Sequence, residues 1–138
     1  MDAASVAKDF IDAFNNSDWE RFGALCAPDM LYDEKGTNRS AKGRDGVLEV
    51  AHGWKAAMSD LRGTIVGSAG CGNDAVLELR WRGTHDGPIE TATGTLPATG
   101  RTIEIDCAQV YTVEGGQVTS MRNYSDFLTM LTQLGVIS

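Results

Sequence analysis

IEIDCAQVYTVEGGQVTSMRNYSDFLTMLTQLG, residues 103–135, decides the fold of this chain. Two alternating runs flank Gly115 and Gly116, a two-residue loop of the kind that favours positive φ at both central positions, so the stretch predicts a β-hairpin. Pairing Glu114 with Gln117 sets the register: Val113 then faces Val118, Tyr111 faces Ser120, Gln109 faces Arg122, Cys107 faces Tyr124 and Ile105 faces Asp126. Because side chains alternate with period two, all of these are expected on one side. That side is mostly apolar on its first strand but carries Gln109, Arg122, Tyr124 and Asp126, a composition that suits a cavity with a few polar anchors better than a plain core. The other side, with Thr102, Glu104, Asp106, Thr112, Thr119 and Asn123 around Ala108, Val110 and Met121, is expected to meet solvent or a second subunit.

Upstream of the hairpin, Val6, Phe10, Ala13 and Phe14 recur at helical spacing and predict a helix from residue 3 to about 15, ending at Asn15-Asn16. Ser17 followed by Glu20 reads as a capping box for a second helix with Trp19, Phe22 and Cys26 on its apolar stripe and Pro28 as its stop. MLYDEK, residues 30–35, alternates as a short strand. GTNRSAKGRDG reads as a polar loop, and Val47, Val50, Ala51, Trp54, Met58 and Leu61 mark the longest helix. RGTIVGSAG and AVLELRWRGTH are strands joined by a turn at CGND; DGPIETATGTLPATGR is a connecting loop; FLTMLTQL after the hairpin is a short helix closed by Gly135. The order helix, helix, strand, helix and then a four-strand meander predicts an α+β domain, with a bent antiparallel sheet curled over three N-terminal helices to leave a cone between them.

At 138 residues the chain is expected to form one domain, residues 1–138, with a core that needs no staples. A net charge of -7 without a basic run disfavours nucleic acid and anionic membranes as partners. No apolar stretch approaches the length of a membrane span. Cys26, Cys71 and Cys107 show no CxxC or metal-ligand spacing, and MDAASVAKDF has no charged-then-apolar leader, so a reducing cytoplasm, no metal and no cofactor are expected. GTNRSAKG lacks the Gly-Lys-Ser/Thr ending of a phosphate loop.

The order of elements resembles the NTF2-like, cone-shaped α+β superfamily. Within it, RGTHDGPIETATGTLPATGR, VYTVEGGQV and NYSDFLTMLTQLG are similar to stretches of the SnoaL-like polyketide cyclases, with a Gly-Thr-His start, a Pro-x-Thr-Gly-Arg end and a closing Asp before a Gln-Leu-Gly helix end. The resemblance implies a cofactor-free intramolecular aldol cyclisation of a hydrophobic substrate, with a carboxylate near the end of the last strand as acid and base. Asp126 is the matching position. It also implies a homodimer or higher homo-oligomer. The chain departs from the pattern at Met121 and Arg122, where the family often has His-Trp, and at Gln109, where a carboxylate is frequent.

Enolisation needs a base in a dry site and a donor for the enolate oxygen. Asp126 and His85 are the expected proton-transfer pair, while Gln109, Arg122 and Tyr124 are expected to fix substrate oxygens. Tyr32, Trp54, Met58, Trp19 and Phe22 are expected on the apolar wall. Each has a plainer reading: Asp126 directly precedes a helix and Asp is a preferred N-cap, His85 opens a loop, and Arg122 could pair with Glu34 in a buried bridge. Two alternatives stand beside the cyclase. One is a ketosteroid-isomerase-like enzyme, which by resemblance would use a carboxylate at the end of the first strand, here Glu34. The other is a small-ligand-binding protein without chemistry. An epoxide hydrolase ranks below both, since Gln109 stands where a second acid would help most.

Overall fold

The computed structural model describes residues 2–91 and 94–137. Its elements in chain order are α1 (Ala3–Asn15), α2 (Trp19–Leu25), β1 (Cys26–Lys35), β2 (Arg39–Lys42), α3 (Arg44–Ala57), β3 (Arg62–Cys71), β4 (Asp74–Thr84), β5 (Ile89–Thr91), β6 (Gly94–Leu96), β7 (Thr102–Glu114), β8 (Gln117–Ser125) and α4 (Phe127–Gln133). Six strands form one sheet in the order β2-β1-β8-β7-β4-β3. The sheet is mixed, where an antiparallel one was expected: β1 lies parallel to β8. More than half of the chain, residues 36–116, separates these two strands, and parallel neighbours need a long crossover.

Helix α1 buries Val6, Ala7, Phe10, Ile11, Ala13 and Phe14, the stripe its spacing predicts. Three local details differ from the sequence reading. Asp18, not Ser17, caps α2, accepting from the Arg21 amide at 3.2 Å, while Ser17 takes φ +52° in the tight link. Pro28 does not stop α2, which ends at Leu25; it lies in β1 where the pairing with β8 slips between Cys26 and Leu31, a place where its missing N–H costs no ladder bond. The polar loop 36–46 contains β2, an edge strand on β1, and the connecting loop 86–101 contains the small β5–β6 hairpin. Ala92 and Thr93 of that loop lie outside the described residues. Gly87 makes its base possible: a Cβ there would stand 2.0 Å from the Ala56 carbonyl oxygen, and the Asp86 and Gly87 amides both donate to the Ala57 carbonyl at the end of α3.

The largest difference lies in the deciding hairpin. Its turn is as expected, with Glu114 opposite Gln117, Val113 opposite Val118, and φ +59° and +76° at Gly115 and Gly116. Beyond it Thr119 is an extra residue, because Thr112 pairs with Ser120, and every later partner moves by one: Tyr111 with Met121, Gln109 with Asn123, Cys107 with Ser125. The Thr119 hydroxyl donates to the Thr112 carbonyl at 3.1 Å within this β-bulge. A one-residue slip exchanges the faces of a strand. Met121 and Asn123 therefore turn inward and are buried, and Arg122 and Tyr124 turn outward and are exposed. The bulge spares the core the cost of an Arg122 guanidinium. Among the described residues no helix is long and apolar enough to cross a membrane.

Candidate functional site

Between the concave face of the sheet and helices α1, α3 and α4 lies a cavity of ≈ 90 Å³. A water needs roughly 10–15 Å³ of such space, so the cavity has room for several ligand atoms. Its wall is mainly aromatic and aliphatic: Phe10, Phe14, Phe22, Met58, Trp81 and Phe127 contribute, from four different elements and the turn after α3. Four polar side chains interrupt it, Tyr32, Gln109, Asn123 and Ser125. This is the mix of apolar surface and a few placed polar groups that small-molecule sites share.

The polar groups are joined to one buried charge. Glu34 points inward from β1 in step with Met30 and Tyr32 and is 1% exposed. Its Oε2 accepts from the Tyr32 hydroxyl at 2.5 Å, the Trp54 indole N–H at 3.1 Å and Arg39 Nη2 at 3.1 Å. Its Oε1 accepts from the Thr37 hydroxyl at 2.7 Å and Arg39 Nε at 3.1 Å. Arg39 thus grips the carboxylate bidentately from the edge strand β2, which supplies the countercharge that burial demands. The chain of bonds continues inward: Asn123 Nδ2 donates to the Tyr32 oxygen at 3.1 Å, and Asn123 Oδ1 accepts from Ser125 at 2.8 Å and from the Cys107 thiol at 3.1 Å. Desolvation first, then the neighbouring Glu34 charge, push the Tyr32 phenol far above its ordinary range, so it stays protonated. The Tyr111 hydroxyl donates to Gln109 Oε1, which leaves the Gln109 amide N–H groups as donors.

Asp126 is not in this cavity. It is exposed at the start of α4, where it accepts from the Thr129 amide at 3.1 Å and the Thr129 hydroxyl at 2.6 Å. Those bonds, the hydroxyl first, hold its carboxyl below the ordinary 3.8. The expected proton-transfer role meets a helix cap instead, since the bulge and the cap both turn the side chain away. His85 is fully buried but does not line the cavity; its Nδ1 lies 2.9 Å from the Thr99 hydroxyl and accepts from the Thr99 amide at 3.2 Å. That bonding places the ring proton on Nε2, which has no partner among the described residues. Arg122 and Tyr124, expected on substrate oxygens, stand on the outer face beside Asp33 and Lys35 of β1. Arg122 accordingly makes no bridge with Glu34.

The remaining expectations divide by position. Gln109, Tyr32, Trp54, Met58 and Phe22 line the cavity; Trp19 does not, and packs edge-on against Phe14 and Phe22 and over His52. Asn123, Ser125 and Met121 escaped the sequence reading because the bulge leaves no mark in hydropathy. Arg39 and Thr37 escaped it because the segment that carries them reads as a polar loop.

The sequence matches the SnoaL-like polyketide cyclase family over residues 4–134. No curated protein matches it. Among solved structures it is similar to IdmH, a proposed polyketide cyclase from Streptomyces antibioticus, at 28% identity and TM-score 0.82 over 98% of this chain and 99% of that one. A proposed SnoaL-like polyketide cyclase from Jannaschia sp. CCS1 superposes with TM-score 0.85 at 17% identity, covering 97% and 92% of the two chains. A Catenulispora acidiphila protein with a ketosteroid isomerase-like fold gives 0.79 at 18% identity, covering 94% and 92%. The cone, its aromatic cavity and a match across nearly the full length lead to one assignment: the chain belongs to the SnoaL-like polyketide cyclase family.

Proposed function

We propose that the protein holds a hydrophobic, carbonyl-bearing small molecule in this cavity and promotes its enolisation, and with it ring closure or isomerisation, through the Tyr32–Glu34 pair. One observation carries the reading: a buried carboxylate is joined to an apolar cavity by a phenol that can pass it a proton. The Tyr32 oxygen takes a proton from the carbon next to the carbonyl while its own proton passes to Glu34. The C–H electron pair becomes the enolate π bond, and the enolate oxygen rests on N–H donors of Asn123 and Gln109. Reversal of the relay returns the proton to the product, so the step needs no external electrons and no cofactor. Desolvation strengthens each of these interactions.

A second reading, ligand binding without chemistry, is favoured by the bonding of Glu34, whose oxygens already accept five hydrogen bonds. A carboxylate offers about four lone-pair sites. The test uses 2-acetylnaphthalene in D2O, with tryptophan fluorescence reporting binding and mass spectrometry reporting deuterium in the methyl group. The wild type is expected to speed exchange above buffer, and Glu34→Gln and Tyr32→Phe to bind the ketone but exchange it at background. Binding without exchange by the wild type establishes the second reading, and exchange that survives in Glu34→Gln rejects the relay. A homodimer through the outer sheet face accompanies the proposal: Leu31, Val76 and Tyr124 are exposed there around Arg122, and sedimentation equilibrium gives the mass.

A further inference from the structure

Trp54 holds two posts at once. Its ring stacks on Phe127, centroids 5.9 Å apart and planes within 13°, and so bridges α3 and α4 across the cavity wall. Its N–H donates to Glu34 Oε2 at 3.1 Å, and the Arg39 guanidinium lies over its ring at 5.6 Å from the centroid. The other aromatic rings of the cavity wall are buried, whereas Trp54 is half-buried, as is Val50 one turn earlier on the same helix. Trp54 is thus the most exposed ring of the cavity wall. Of the donors on Glu34, Arg39 is tied by charge and a second N–H, and Tyr32 is held by Asn123. Trp54 is attached to the carboxylate by one neutral hydrogen bond from a ring that also closes the wall.

We propose that Trp54 gates this cavity and that its displacement by an entering ligand frees an acceptor position on Glu34, so that the carboxylate becomes able to take a proton only when the cavity is occupied. The inference rests on the Tyr32–Glu34 reading for its consequence, but not for the gate itself. With Trp54 in place, Glu34 is saturated and idle. A ligand that pushes the indole off Phe127 removes a donor from Oε2 and leaves that oxygen a lone pair open beside the Tyr32 hydroxyl. Trp54 is on this view a positioning residue: it acts on the reaction through Glu34 and through access.

The two contacts can be cut separately. Trp54→Phe keeps a ring to lie against Phe127 and removes the N–H; Phe127→Leu removes the stacked ring and keeps the N–H bond to Glu34. Association of 2-acetylnaphthalene, followed by stopped-flow fluorescence of the remaining tryptophans, is expected to quicken about fivefold in each variant, the worth of one hydrogen bond or one ring contact. The ketone concentration that half-saturates exchange is expected to fall about fivefold in Trp54→Phe, the worth of the lost hydrogen bond, whereas loss of a merely structural indole would weaken binding. Unchanged association in both variants overturns the gate even where exchange by the wild type is intact. Exchange in Trp54→Phe that falls at saturation overturns the coupling to Glu34. Quicker association together with a wild type that exchanges nothing leaves the gate standing and removes the proton relay, so the two proposals fail separately.

Discussion

Glu34 and Asp126 both sit near the end of a strand, one buried among five donated hydrogen bonds and the other exposed on a helix end. Their surroundings give them opposite uses. Because the folded-state pKa of Asp126 is lowered by Thr129, its contribution to stability is present above the ordinary 3.8 and is lost as pH falls through the lowered value. Asp126→Ala is therefore expected to melt earlier than the wild type at neutral pH, with the difference vanishing in strong acid; thermal melts across pH check this. Asp126→Asn, which keeps a capping oxygen, is expected to retain ketone exchange in full. Arg39→Met strips Glu34 of its countercharge and is expected to cost about 3 kcal/mol, the low end for a broken buried pair because the guanidinium is itself partly exposed. Urea denaturation measures that loss.

At the scale of elements, the hairpin shows how far local signals reach. Gly115-Gly116 announce a turn because two consecutive residues must take positive φ, and this was legible in the residues themselves. The bulge at Thr119 was not, since Thr, Ser and Met carry no requirement for an extra unpaired residue; what selects it is the interior, which accepts Met121 and Asn123 and excludes Arg122. Deleting Thr119 is expected to restore the simple register, drive Arg122 and Tyr124 inward, and abolish the cooperative melting transition seen by circular dichroism. Gly87→Ala tests a second junction. Its methyl would meet the Ala56 carbonyl oxygen, so the variant is expected to lose stability by several kcal/mol unless the base of the β5–β6 hairpin moves away from α3.

For the whole molecule, the cavity lies between the helices and the sheet, and a guest that fills it stabilises the fold in proportion to its affinity. 2-Acetylnaphthalene at 100 times its Kd is expected to add about 2.7 kcal/mol, a rise of several degrees in Tm by scanning calorimetry. The helices, the long strands, the hairpin turn and the cone they build followed from periodicity and turn chemistry, because hydrophobic spacing and positive-φ residues act within a few neighbours along the chain. Within the site, Gln109, Tyr32, Trp54, Met58 and Phe22 were legible by the same spacing. Tertiary structure alone decided which carboxylate is enclosed. The parallel seating of β1 on β8 and the bulge that turns β8 bring Glu34, Arg39, Trp54 and Asn123 together from four separate elements, and burial of charge is settled by partners in space, which one-dimensional spacing does not encode.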